Sequence, residues 1–371
     1  MTSLLQAIKQ YIPKELRAAL APFYHFCMAF FAALFYGFPS RRLIVIGVTG
    51  TKGKTTVVRM LHHVLEKTGS KVASLSSLGS RIGERETENP MKMTMPGRMA
   101  VQKFLHDARK AGSRYAILEV TSEGVKQFRH RFIRFRVGIM TSVHPEHIES
   151  HGSYEAYLRA KLDFFYRLPK EAIAVVNKDD AEWKRFAAST RARPVFYSSS
   201  EILTNGKSVS VEHVSVTKEG IRFDVGHTAI SSPLLGAMNV SNILAVLAFA
   251  LAQHISLEQA ASALRTFVRV PGRMEVLQTS PFTVVVDYAH TPESLRGVYA
   301  HFRRTKKTRI LCVLGAAGGG RDTWKRPRFG AIAAEYCSTI ILTNEDPYDE
   351  DPELIMEQIK SGIPSSHDAS C

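Results

Sequence analysis

Residues 48–56, Val-Thr-Gly-Thr-Lys-Gly-Lys-Thr-Thr, constrain this chain more than any other stretch. An apolar run, 43–47, precedes them, and a segment with helical apolar spacing, 57–67, follows and closes at Gly69. Strand, glycine-bearing turn and helix in that order aim backbone N–H groups and a helix N-terminus at one point, which suits a polyphosphate. In such a loop Gly50, Thr51, Lys52, Gly53 and Thr56 surround the phosphates, Lys54 reaches the outer ones and Thr55 meets a magnesium ion. Val48 stands where the general pattern begins with Gly, so the run is a subtype, Gly-Thr-x-Gly-Lys-Thr-Thr.

Beyond the loop, strand-like and helix-like runs alternate. Residues 72–75, 115–120, 137–141 and 172–176 read as buried parallel strands, and 98–110, 154–167 and 180–189 as helices. The pattern predicts an α/β fold: a P-loop, parallel-sheet central ATPase domain with ligand groups at the C-terminal ends of its strands. Short β-rich segments are expected over 195–230, and helices over 239–253 and 257–267. Val270-Pro271-Gly272-Arg273 reads as a linker. A smaller Rossmann-like α/β unit follows, with strands at 283–287, 309–314 and 339–343, and 361–371 reads as a polar tail. The expected domains are thus an apolar helical segment at 1–40, a central domain at 41–270 and a C-terminal domain at 271–371.

The net charge of +15 and pI near 9.7 call for an acidic partner. With no zinc-finger spacing, aromatic RNA-binding signature or basic tail, a nucleotide, sugar nucleotide or anionic membrane fits better than nucleic acid. Cys27, Cys312, Cys337 and Cys371 are scattered, which implies neither a disulfide framework nor a zinc site and suits a reducing cytoplasm. Residues 18–40 carry no formal charge and are strongly apolar around 23–36, between Arg17 and Arg41-Arg42. Three readings stay open: a helix docked on the protein's own surface, peripheral contact with the inner face of a membrane, or a span of marginal length.

Two further places carry chemistry. Glu119 ends an apolar strand beside the phosphate loop, where a magnesium ligand belongs, although a solvated strand-end acid reads the same way. The next strand runs into a loop bearing His144, His147 and His151, which could be ligands, catalytic groups or merely polar.

These motifs, with Tyr157-Leu158-Arg159-Ala160-Lys161, Pro271-Gly272-Arg273-Met274-Glu275 and Asp287-Tyr288-Ala289-His290-Thr291-Pro292, occur in the order seen in Mur ligases. From about residue 42 to 351 the chain resembles their UDP-N-acetylmuramoyl-tripeptide synthetase branch. The resemblance implies an ATP-dependent ligase of peptidoglycan precursor synthesis, a cytoplasmic monomer that adds an amino acid to a UDP-muramoyl-peptide carboxylate through an acyl phosphate. It implies ATP, two Mg²⁺ ions and CO₂, held as a carbamate on Lys161. Lys54, Glu119, His147, Lys161 and Arg273 would be catalytic. Thr55 and Glu119 would hold the first metal, and His147, Glu119 and the modified Lys161 the second. Arg273 would contact the γ-phosphate, Asn239 the adenine and Asp287 the ribose. Thr94, Thr121, Gln127 and Arg129 would meet the sugar-nucleotide peptide, and Arg326 and Asp346 the incoming amino acid. A folylpolyglutamate- or cyanophycin-type ligase, and a nucleotide-binding membrane scaffold without turnover, are the alternatives.

Three departures qualify the resemblance. The family's N-terminal uridine-gripping domain has no counterpart in the 40 residues before the loop. The segment that reads Asp-Asn-Pro-Arg in the diaminopimelate enzymes is Glu345-Asp346-Pro347-Tyr348, which leaves lysine, ornithine or another acceptor open. The Gly-Lys-Gly-His-Glu segment of the amino-acid pocket is not found, so a shortened C-terminal domain is expected.

Overall fold

The computed structural model describes residues 14–89, 93–146, 148–200, 208–217, 219–303, 308–320, 322–365 and 369–370. Of the residues singled out above, His147 lies outside this set.

The chain enters through helix α1 (Lys14–Phe35) and then builds a nine-stranded sheet. Its strands are β1 (Ile44–Thr49), β2 (Val72–Ser76), β3 (Gly79–Ile82), β4 (Arg85–Glu88), β5 (Tyr115–Glu119), β6 (Phe135–Met140), β7 (Ile173–Asn177), β8 (Arg193–Ser198) and β9 (Ser208–Ser210). They lie in the order β4-β3-β2-β5-β1-β6-β7-β8-β9, parallel from β2 to β9. The five strands β1, β2, β5, β6 and β7 are apolar runs covered on both faces, as parallel sheets with crossover helices must be.

Helices α2 (Lys54–Lys67), α8 (Met238–Ala252) and α9 (Leu257–Arg265) cover one face; α3 (Arg98–Lys110), α6 (Tyr154–Tyr166) and α7 (Trp183–Ser189) cover the other. Short helices α4 (Ser122–Lys126) and α5 (Ile148–His151) follow β5 and β6. A meander of β10 (Glu212–Thr217), β11 (Gly220–Val225) and β12 (Thr228–Ser232) packs into the first core. The antiparallel β3–β4 hairpin extends the sheet beyond the expected strands. Its residues are polar and mostly solvated, so no apolar alternation marks it in the sequence.

Val270 and Arg273 form an isolated bridge around Gly272, whose φ of +63° makes the tight turn. The stretch read as 283–287 does not join the later sheet. As β14 (Val284–Val286) it pairs antiparallel with β13 (Glu275–Gln278). A separate parallel sheet holds β15 (Leu311–Leu314), β16 (Thr339–Leu342) and β17 (Ala369–Ser370). Helices α10 (Pro292–Phe302), α11 (Arg326–Tyr336) and α12 (Pro352–Lys360) build the third core around it.

Among the described residues no helix is long and apolar enough to cross a membrane. Helix α1 instead lies on the protein, with Ala29, Ala32 and Ala33 buried and Phe26 and Phe30 packed edge-on against Phe132.

Candidate active site

Strand β1 runs between β5 and β6, so the loops leaving its C-terminal end face a crevice with strands on either side. Val48 pairs with Glu119 and Thr49 with Met140, which sets the phosphate loop level with the acid at the end of β5 and the loop after β6. Two glycines are required here. Gly50 has φ +151° and Gly53 φ +84°; a Cβ would stand 2.0 Å from Thr141 Oγ1 at the first and 2.2 Å from Asn242 Oδ1 at the second. Gly53 caps α2, whose first N–H groups open onto the crevice.

Four cations gather at this point. Lys54 Nζ donates to the carbonyls of Gly50 (3.0 Å) and Thr51 (2.9 Å), and Lys161 Nζ, from α6, donates to the same Gly50 carbonyl (2.8 Å). Lys161 is 2 % exposed and sits over the Tyr157 ring, whose hydroxyl is 2.7 Å from Thr51 Oγ1. Lys52 lies 3.5 Å from Glu146 Oε1 and 3.0 Å from His290 Nε2, and Arg273 stacks over Tyr288. Burial pushes the Lys54 ammonium down, and burial with the neighbouring Lys54 charge pushes Lys161 well below the usual lysine range. A polyanion relieves such crowding of positive charge.

Glu119 is 2 % exposed; burial raises its carboxyl, opposed by Lys54, the Ser77 N–H (3.0 Å) and the Thr55 hydroxyl. Thr55 Oγ1 is 2.9 Å from Ser77 Oγ. Two hydroxyls and a buried carboxylate are the hard oxygen donors Mg²⁺ takes when phosphate oxygens complete its shell. Among the described residues no group of three or more His, Cys, Asp or Glu gathers as a metal cage.

The crevice has a volume of about 1070 Å³. Gly50, Thr51, Lys52, Gly53, Lys54, Thr55, Thr56, Thr94, Glu119, Thr121, Lys161, Asn239, Arg273 and Asp287 all line it. Asn239 is buried at the start of α8, held by Asn242 (2.8 Å) and the Leu235 carbonyl (2.7 Å). Asp287 accepts the Met274 N–H at 2.7 Å, and burial raises its carboxyl. Gln127 and Arg129 stand outside the crevice as a pair (2.7 Å), with Arg129 also held by the Met95 carbonyl, one residue from Thr94. Asp346 is exposed beside a second glycine-rich loop, Gly318-Gly319-Gly320, its carbonyl accepting the Gly318 N–H.

Arg326 is fully buried below that loop and does not line the crevice. Its guanidinium is occupied by Glu350 (2.8 Å), Gln358 (2.7 Å) and the Ala317 carbonyl (3.2 Å), so in this conformation it ties α11 to α12. Sequence reasoning assigned no role to Ser77, Glu146 or His290. His290 sits inside a quoted motif and Glu146 between two of the loop histidines, His144 and His147, whereas Ser77 has no local signal, because only sheet pairing brings it to Glu119.

The Mur ligase middle-domain model matches residues 48–250, and the Mur ligase, glutamate ligase domain model matches 272–370. A UDP-N-acetylmuramoyl-L-alanyl-D-glutamate–2,6-diaminopimelate ligase of Thermosynechococcus vestitus is 36% identical over 342 residues, 90% of this chain and 67% of that one. A UDP-N-acetylmuramyl-tripeptide synthetase of Roseiflexus is 36% identical over 365 residues, 93% and 69% of the two chains. A solved diaminopimelate ligase structure aligns at TM-score 0.64 and 30% identity over 88% of this chain and 67% of that one. The folylpolyglutamate synthase of Mycobacterium tuberculosis, at 17% identity, shares the fold at TM-score 0.76 over 93% and 85%. ATP and Mg²⁺ are the family's cofactors. A phosphate loop of the Gly-Thr-x-Gly-Lys-Thr-Thr subtype, two matched domain models and a third of the residues shared over nine-tenths of the chain place this protein in the Mur ligase family.

Proposed function

We propose that this chain is an ATP-dependent ligase that adds an amino acid to the carboxylate of a UDP-N-acetylmuramoyl-peptide in peptidoglycan precursor synthesis. The observation that carries the reading is the gathering of Lys52, Lys54, Lys161 and Arg273 around the phosphate loop, in one crevice built by both halves of the chain. The difficulty of the reaction is to bring a carboxylate against the γ-phosphate. Lys54, Lys52 and Arg273 neutralise the phosphate oxygens and orient them. The carboxylate oxygen attacks the γ-phosphorus as the bond to ADP breaks, giving an acyl phosphate. The amine of the amino acid then attacks the acyl carbon, phosphate leaves, and the amine gives up a proton. Mg²⁺, when bound, adds positive charge where the transferred phosphoryl group is most negative. Thr55 and Glu119 would hold one ion, and Glu119, His147 and Lys161 the second, with His147 kept on its motif alone.

Lys161 would serve as a carbamate. Burial lowers the pKa of Lys161 and so favours its nucleophilic amine form: its Nζ bonds to the carbon of CO₂, a C=O π bond opens to a carboxylate oxygen, and a proton is released. ¹³C-bicarbonate should give a carbamate NMR resonance in the full chain that is lost in Lys161→Ala. Asn239 and Asp287, which line the crevice, would meet the nucleoside, and Thr94, Thr121, Gln127 and Arg129 the donor. Arg326, together with Asp346, is kept for the amino acid if α12 shifts to free its guanidinium. Tyr348 offers no charge to a second carboxylate, so diaminopimelate is not assigned, and lysine, ornithine or another acceptor stays open. The reading carries with it a monomer working on the cytoplasmic side. ADP release measured across a panel of amino acids tests the reading: release should require both a UDP-muramoyl-dipeptide and one amino acid. ATP binding without substrate-dependent release would refute it in favour of a scaffold.

A further inference from the structure

Helix α1 presents its apolar side outward. Leu20, Phe23, Tyr24, Phe31, Leu34 and Phe35 are each at least half exposed. Their spacing of 3, 4, 11, 14 and 15 residues from Leu20 sets them in one stripe, about 22 Å long at 1.5 Å per residue. A stripe of this size, four of its six side chains aromatic, is an interaction surface rather than scattered surface apolarity.

The surroundings of the stripe point to its occupant. Arg131 stacks over Phe26 at 5.3 Å and Arg41 over Phe38 at 4.6 Å, while Arg41, Arg42 and Arg134 are exposed at its edge. Arg131 also borders a cleft of about 520 Å³ whose rim carries Arg167, Lys170 and Arg191. Between Glu15 and Glu66 the sequence has no acidic residue. A protein partner or a second copy would need acids facing these arginines; a bilayer surface supplies apolar depth and phosphate charge together. The helix is also too short in apolar length to cross.

We propose that α1 lies in the plane of an anionic phospholipid membrane, with the aromatic stripe below the headgroups and the flanking arginines among the phosphates. Arg98 bonds both His25 of α1 and the Gln127 carbonyl, so this contact holds the Gln127–Arg129 pair, outside the crevice, next to the bilayer. The inference rests on the surface and stands apart from the ligase reading.

Co-sedimentation of the full chain with phosphatidylcholine vesicles, with and without phosphatidylglycerol, tests it. Binding should need the anionic lipid and weaken as salt rises. Phe31→Glu with Phe35→Glu should cut it at least tenfold. Arg41→Ala with Arg42→Ala should cut it by about fivefold per residue removed. ATP binding, measured in parallel, should stay unchanged in both variants and so report intact folding. Equal binding to neutral vesicles, no binding at all, or binding indifferent to Phe31→Glu/Phe35→Glu would overturn the proposal. So would a solution dimer that the same pair dissociates, which would assign the stripe to a second copy.

Discussion

The charge of Lys52, in the phosphate loop, depends on its setting. Burial pushes its ammonium down to about 8, with Glu146 opposing the shift and the neighbouring Lys54 charge adding to it. The protonated form is the one that attracts phosphate, so nucleotide affinity should be level below pH 7 and fall as pH passes 8. A loss of about tenfold between pH 7 and 9 is expected from the change in protonated fraction. Lys52→Arg should flatten this dependence, which calorimetric ATP titration at the two pH values would check. The role of Lys52 as a loop cation was legible in the motif. Its lowered pKa was not, because burial and the approach of Glu146 from 94 positions away belong to the folded chain.

Strand β1 carries a glycine that the phosphate loop does not explain. A Cβ on Gly47 would stand 2.4 Å from the Phe164 ring and 2.9 Å from that of Phe135, both buried. The small residue therefore lets α6 close over the sheet and sets the height at which Lys161 reaches Gly50. Gly47→Ala should cost about 2 kcal/mol through overpacking and lower the thermal midpoint by a few degrees. A carbamate signal weaker than the loss of folded protein would show that Lys161 had moved as well. Apolar periodicity revealed most of the buried strands and long helices, because burial on both faces leaves continuous apolar runs. It could not reveal β3 and β4, which are polar, or the partner of β14, since a three-residue strand carries no record of what it pairs with.

Across the two halves of the chain, Glu146 stands between Lys52 (3.5 Å) and His290 (2.9 Å), and Asp322 and Thr323 donate their N–H groups to Glu149. These contacts join the phosphate loop to the segment around α10 and to the second glycine-rich loop. Glu146→Gln removes the anion from the first junction. Amide exchange should rise over 284–303 while that over 98–110 stays unchanged. Local patterns of charge, glycine and apolar spacing determined the α/β class, the phosphate loop, the acid at Glu119 and an apolar segment before the loop, because each depends on neighbours in the chain. The distances that make a site were decided only by folding. Lys161 and Gly50 lie 111 residues apart and Lys52 and His290 238 apart, and Arg326 is drawn away from the crevice by Glu350 and Gln358. The outward face of α1 was settled the same way. An apolar run specifies burial against something, and only packing on Phe132 shows which side is left for another surface.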